Sequence, residues 1–242
     1  MYFIGDVHGI GPLVQIIIKR GLKDSNLIQV GDLGLGFQEI TRDISNLKNL
    51  DEILLENNLQ LFACRGNHDN PIFWDKSKGL NLPKLHNIHL VDDYSVLDIE
   101  NKKILCVGGG ISIDRQIRKD DRPYPSWWKD EEFQWHPGKF NRVVNNHNTM
   151  DIIVTHSAPS ACYPRGVDAP IVNDWHNVEL EHGNNLKGEL QMERKKIDML
   201  KDAVLKAYKP TNWFYGHFHT SKTEIIDLVK FQALKINEIC EI

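Results

Sequence analysis

The apolar positions of this 242-residue chain come first as short runs, each closed by glycine and polar residues. Tyr2 to Ile4 predicts a strand ending in Gly5-Asp6-Val7-His8-Gly9. Leu13 to Arg20 carries an apolar helical run, with Pro12 near its first turn where a missing N–H costs nothing. Leu27-Ile28-Gln29-Val30 predicts a second strand, closed by Gly31-Asp32. Ile40, Ile44, Leu47, Leu50 and Leu54 recur at three or four residues and predict a long amphipathic helix. Leu59 to Cys64 predicts a third strand which, after Arg65, ends in Gly66-Asn67-His68-Asp69. Alternating strands and helices, with apolar strands, argue for an α/β sheet covered on its faces.

The middle of the chain changes character. Ile88-His89-Leu90-Val91, Tyr94 to Ile99 and Lys103 to Val107 predict consecutive strands on short turns, hence a second, partly antiparallel sheet. Residues 111–136 read as irregular, rich in charge, proline and tryptophan. A strand at Ile152-Ile153-Val154 precedes a loop of about twenty residues with Pro159, Pro164 and Pro170. Leu190, Ile197, Leu200, Val204 and Ala207 then line one helical stripe. Strands are predicted at Trp213-Phe214-Tyr215, Thr223 to Asp227 and Phe231 to Ile236. With no internal repeat or linker, the expectation is one domain over residues 1–242, with 111–136 as a substrate lid.

Composition narrows the class. Hydrophobic residues at 41% and charged residues at 26% are ordinary for a globular protein. A formal net charge of −4 supplies no global basic field for nucleic acid or an acidic membrane. The four cysteines form no C-x-x-C pair, and Cys64 and Cys106 sit in apolar runs as small core hydrophobes. That usage fits a reduced, cytoplasmic setting. Neither a signal peptide nor an apolar run of about 20 residues is present, which argues against secretion and membrane spanning.

The chemistry lies where the strands stop. Asp6 and His8 follow the first, Asp32 the second, Asn67 and His68 the third, His156 the strand at 152–154, and His217 and His219 the strand at 213–215. Open α/β sheets bind ligands beyond the carboxyl ends of their strands, so these groups could converge in one crevice. Imidazole, carboxylate and amide without thiolate suit Mn, Fe or a catalytic Zn. An aspartate carboxylate can bridge two such ions. Singly, each motif has an ordinary reading: Asp-x-His as chance, GNHD as a turn, His-Phe-His as an alternating strand end. Together they repeat one arrangement, a strand followed by a ligand.

The ordered set GDVHG, GD, GNHD, Thr155-His156 and GHFH closely resembles the calcineurin-like metallophosphoesterases, and the resemblance runs from residue 5 to residue 219. It implies two packed β-sheets flanked by helices (four layers, α-β-β-α) around two divalent transition-metal ions, most plausibly Mn, with Fe, Zn or Ni as alternatives. Carried over by motif, Asp6, His8, Asp32 and His219 would hold one ion. Asp32, Asn67, His156 and His217 would hold the other, with Asp32 bridging. His68 would be the catalytic residue beside the substrate, giving a hydrogen bond to phosphate or a proton to the leaving oxygen. The implied reaction is in-line attack on a phosphate ester by a hydroxide between the metals. Asp69 would position the turn.

The chain departs from the protein-phosphatase branch of that family. The GDxVDRG motif is absent, so Gly36 stands where an arginine would clamp phosphate and Leu35 where an aspartate would orient His68. The replacement expected from the sequence follows Gly108-Gly109-Gly110: Arg115, Arg118 and Arg122 beside Trp127 and Trp128, with Trp135 third. These could clamp phosphate and stack on a base. Equally, the tryptophans could pack on the sheet, with the arginines paired to Asp120, Asp121 and Asp130. His176, Glu179, Glu181 and His182 read as polar surface, and Glu193-Arg194-Lys195-Lys196 as the solvated face of the last long helix. The expected substrate is a nucleotide or a single-stranded nucleic-acid phosphodiester. The alternatives are a phosphomonoesterase, including a protein phosphatase, and a metal-bound interaction module with vestigial activity.

Overall fold

Parallel strands need crossover connections, and the first two helices supply them. In the computed structural model, which describes residues 1–120 and 123–242, β1 (Tyr2–Ile4), α1 (Ile10–Arg20), β2 (Ser25–Gln29), α2 (Ile40–Glu56) and β3 (Leu59–Ala63) form successive parallel units. β4 (Ile88–Leu90) adds parallel to β3. It therefore belongs to the first sheet, where the sequence had suggested the second. A second sheet begins with the antiparallel pair β5 (Ser95–Ile99) and β6 (Lys102–Val107).

Two short helices follow, α3 (Arg115–Asp120) and α4 (Pro137–Asn146), and then β7 (Ile152–Thr155). After α5 (Pro170–Glu181) and α6 (Leu186–Ala207) come β8 (Asn212–Tyr215), β9 (Lys222–Ile226), β10 (Val229–Ala233) and β11 (Ile239–Glu241). The sheet orders are β11-β1-β2-β3-β4 and β5-β6-β7-β8-β10-β9. In the second sheet β6, β7, β8 and β10 run parallel, and the edge strands β5 and β9 pair antiparallel.

Period-two alternation sorts the apolar side chains into three layers of core. Phe3, Ile28, Ile104, Val154 and Phe214 meet between the sheets, where the Phe3 and Phe214 rings stack 4.0 Å apart. Their neighbours Ile4 and Leu27 turn outward to Leu13, Ile17, Leu47, Leu50 and Leu54 of α1 and α2. On the other side Leu105, Ile153, Trp213 and Tyr215 meet Phe140 of α4 and Ile197, Leu200 and Val204 of α6. The result is helix, sheet, sheet, helix. Among the described residues no helix is long and apolar enough to cross a membrane.

Candidate metal centre

The carboxyl ends of β1, β2, β3, β7 and β8 meet at one edge of the sandwich, and backbone hydrogen bonds tie them together. The Asp32 carbonyl accepts the N–H groups of Val7 (3.1 Å) and His8 (3.0 Å). The Asp32 carboxylate accepts from His68 N–H at 2.7 Å, and that of Asp6 accepts from His217 N–H at 2.9 Å. Asp69 accepts from the backbone N–H of Asp32, Leu33, Gly34, Leu35 and Gly66, at 2.7 to 3.2 Å. It fastens the GD loop to the GNHD corner, which is the positioning role expected of it. Burial and the neighbouring Asp32 push its carboxyl up to about 6. Gly66 is required by close approach: a Cβ there would lie 2.0 Å from the Asp32 carboxylate.

Four of the expected ligand residues have left-handed backbones: His8 (φ 49°), Asp32 (φ 61°), His217 (φ 68°) and His219 (φ 52°). Such conformations cost non-glycine residues about 1–3 kcal/mol each and persist where surrounding structure imposes them, often at functional sites.

The side chains divide into two clusters that share Asp32. One ligand atom from each of Asp6, His8, Asp32 and His219 lies within 4.8 Å of the others. His8 Nε2 faces His219 Nε2 at 3.0 Å, and His219 Nε2 lies 3.4 Å from Asp6. In the second cluster, His156 Nε2 and His217 Nδ1 each lie 2.8 Å from Asn67 Oδ1, and His156 Nε2 lies 3.2 Å from Asp32 Oδ1. His156 Nδ1 donates to the Val30 carbonyl at 3.1 Å, which leaves a lone pair on Nε2 in the neutral ring. Ligand-type nitrogen and oxygen atoms therefore crowd together at both places, and the buried Oδ2 of Asp32 has no hydrogen-bond partner among the described residues. A divalent cation in each cluster relieves both defects, so the residues fit the metals.

Charge follows the same geometry. Burial alone would push Asp32 up, but His156 and His68 outweigh it and hold the carboxyl well below its usual range. Burial would likewise lower His156, yet Asp32 holds it up at about 9. Burial, with His156 beside it, pushes His217 well down. Burial also lowers His68 to about 3, against the pull of Asp32. The His68 ring packs against His8 (4.7 Å) and Phe37 (5.5 Å). Its buried Nδ1 has no hydrogen-bond partner among the described residues, consistent with Leu35 standing where an orienting aspartate would be.

Arg115 and Arg118 of segment 111–136 are engaged within the protein. Arg115 is buried, its guanidinium held by Glu179 and Glu189, so it is not free to clamp phosphate. Glu179, expected on the surface, is the fully buried half of that pair. Arg118 is buried too. It donates to Ser112 Oγ, to the Asn67 carbonyl (3.0 Å) and to the Ser126 carbonyl, and lies 3.6 Å from Glu131. Ser112 Oγ also accepts from Asn67 Nδ2 at 2.9 Å, which turns Asn67 Oδ1 toward the two imidazoles. Arg118 thus braces a candidate ligand. Arg122 lies outside the described residues.

The tryptophans stack locally. Lys119 sits 4.3 Å over the Trp127 ring and Arg118 lies 5.6 Å from the centre of the Trp128 ring. Trp128 fills the space left by Gly36, whose Cβ would come within 2.8 Å of the indole. Trp135 packs on Tyr94 and Phe140.

A cleft of about 290 Å³ opens onto Asn67, His68, His217 and His219. Its lining also includes Tyr163, Arg165, Trp175 and Arg194, none of them expected at the site from the sequence. Arg194 had been read as part of a solvated charge run; in the fold it is half-buried and its neighbour Glu193 fully so. The signal available was position alone, because Tyr163 and Arg165 lie in the proline-rich loop that follows His156. A larger cavity of about 800 Å³, beside Trp74, Tyr94 and Arg142, includes none of the expected metal ligands.

Comparison with known proteins agrees with this architecture. No curated protein matches the chain. A Staphylococcus aureus protein provisionally named a 5′-nucleotidase, solved with alpha-ketoglutarate, superposes with a TM-score of 0.50 at 13% identity. The match covers 98% of this chain and 49% of that one, so this chain spans about half its length. A phosphopantetheinyl hydrolase from Mycobacterium tuberculosis matches with a TM-score of 0.46 at 13% identity, over 98% of this chain and 89% of that one. The family model for calcineurin-like phosphoesterases matches residues 1–221. With that match over nearly its whole length, the chain belongs to the calcineurin-like phosphoesterases.

Proposed function

We propose that this phosphoesterase hydrolyses small nucleotide-type phosphate esters, with Asp6, His8, Asp32 and His219 holding one divalent cation and Asp32, Asn67, His156 and His217 the other. The observation that carries this reading is the cleft, which brings candidate ligands from both clusters, His68 and the Trp175 indole to one small volume. Its size suits a nucleotide or a strand end, and the net charge of −4 disfavours a groove for long duplex nucleic acid.

When bound, the two cations supply a hydroxide nucleophile and neutralise charge on the phosphate. The chain's own residues do the rest. Asp69 and Asp32 lock the GNHD corner, so His68 is held over the cleft by its backbone N–H, not by a partner on its ring. From there His68 donates a hydrogen bond to the phosphate or leaving oxygen. Arg118 and Ser112 keep the amide oxygen of Asn67 facing His156 and His217, where it would help hold the second cation.

The test is a screen of the Mn²⁺-loaded protein against nucleotides, cyclic nucleotides, single-stranded DNA and RNA, phosphopeptides, p-nitrophenyl phosphate and bis-p-nitrophenyl phosphate. Metal-dependent turnover of nucleotides with no turnover of phosphopeptides is expected. Phosphopeptide turnover alone would favour a protein phosphatase. Bound metal with no turnover of any ester would leave an interaction module.

A further inference from the structure

Among the described residues the buried arginines are each matched to a carboxylate: Arg65 to Asp93, Arg115 to Glu179 and Arg118 to Glu131. Two arginines on the cleft are not. Among the described residues neither Arg165 nor Arg194 has a carboxylate oxygen within 4.0 Å, the distance that defines the other pairs.

Arg194 is nevertheless held in place. Its guanidinium carbon lies 3.5 Å over the Tyr163 ring, and its Nη2 donates to the Arg165 carbonyl at 2.9 Å. These contacts fix the group without a carboxylate at ion-pair distance among the described residues. Its Nε is buried and without a hydrogen-bond partner, a defect that an anion would correct. The rings below it step toward the metal centre: Tyr163 lies 4.4 Å from Phe218, and Phe218 lies 4.9 Å from His217. Ile113, Ile171, Val172, Trp175 and Leu190 give the same cleft an apolar lining. Ile171 is exposed there, and among the described residues no ring or cation stacks on Trp175. Asp114 also borders the cleft, so two positive charges face one negative.

We propose that Arg165 and Arg194 form an anion subsite, so that the preferred substrate carries a second negative group in addition to the scissile phosphate. This inference rests on the reading of the cleft as the phosphoesterase site. The substrate class is a nucleotide bearing a further phosphate, its base or sugar against Trp175 and Ile171 and its second phosphate between the arginines. Arg165, at the exposed rim, meets the incoming anion, and the fixed fork of Arg194 sets where it comes to rest.

The experiment compares two chromogenic substrates, the p-nitrophenyl ester of thymidine 5′-phosphate and the same ester carrying a 3′-phosphate. With the Mn²⁺-loaded full chain, the 3′-phosphate is expected to raise kcat/KM about tenfold or more, mainly through KM. Arg165→Ala and Arg194→Gln should each narrow that gap, and the double variant should close it. Equal kcat/KM for the two esters in the unaltered protein would overturn the subsite, as would a gap that survives the double substitution. Should Arg194→Gln fail to fold, judged by circular dichroism, Arg165→Ala carries the test alone: a gap unchanged in it overturns the proposal. Hydrolysis of both esters at equal efficiency counts against the subsite only. Hydrolysis of neither, nor of bis-p-nitrophenyl phosphate, counts against the phosphoesterase reading beneath it.

Discussion

The two sides of the candidate metal centre are built in opposite ways. On one side, His8 and His219 rise from left-handed turns with side chains 23% and 43% exposed, and face each other with no hydrogen bond to the second nitrogen of either ring among the described residues. On the other, His156 is fully buried with its ring anchored on the Val30 carbonyl. Asn67 is anchored there through Ser112, itself held by Arg118. Partners that orient ligands tune metal affinity. The braced side should hold its cation tightly and the open side should exchange. Asp32 belongs to both, since its Oδ1 faces His156 while Oδ2 is left free toward His8.

That contrast can be attacked at four points. Asp32→Asn removes the shared carboxylate. Metal content should fall from two equivalents to below one, and turnover on the order of a thousandfold, by elemental analysis and steady-state kinetics. Arg118→Met should weaken one of the two metal-binding events about 10–100-fold while sparing the other, read by calorimetry. Its control is Arg115→Met, which strands the Glu179 and Glu189 carboxylates. That variant should lose about 3–5 kcal/mol of stability in urea and keep both metal affinities. His219→Ala should loosen only the weaker event, about tenfold, with the tighter one unmoved.

How much of this was legible in the sequence depends on what each element's neighbours decide. β1, β2, β3, β7 and β8 were legible because buried parallel strands are continuous apolar runs, and their ligand-type ends followed from position. β4 was misassigned because its partner, β3, is set by a long connection that carries no periodic signal. α4 and α5 went unseen, since one is short and the other lies behind a proline-rich loop. Arg115 and Arg118 have the composition of a phosphate clamp. Their partners Glu179, Glu189 and Asn67 come from distant segments, and only tertiary contacts show them to be already engaged. The same blindness hid Arg165 and Arg194, whose significance is that, among the described residues, no carboxylate oxygen comes within 4.0 Å of them.

A smaller effect separates the centre from the helix behind it. Glu193 of α6 accepts from Ser157 Oγ at 3.2 Å, and burial pushes its carboxyl up to about 7 from the usual 4.5. The folded chain keeps this proton to a higher pH than the unfolded chain does. The stability it contributes is complete below about pH 4.5 and is lost as pH rises through about 7. In metal-free protein, Glu193→Gln should flatten the fall in stability across that window by up to one proton's slope, about 1.4 kcal/mol per pH unit. Melting curves at graded pH read it.

The most direct measurement is a titration of chelator-stripped protein with Mn²⁺, reading bound metal and bis-p-nitrophenyl phosphate hydrolysis at each equivalent. Two separable equivalents are expected, with hydrolysis appearing only as the second, weaker one fills. A single equivalent, or full hydrolysis once one has bound, would contradict a centre of two unequal sides joined by Asp32.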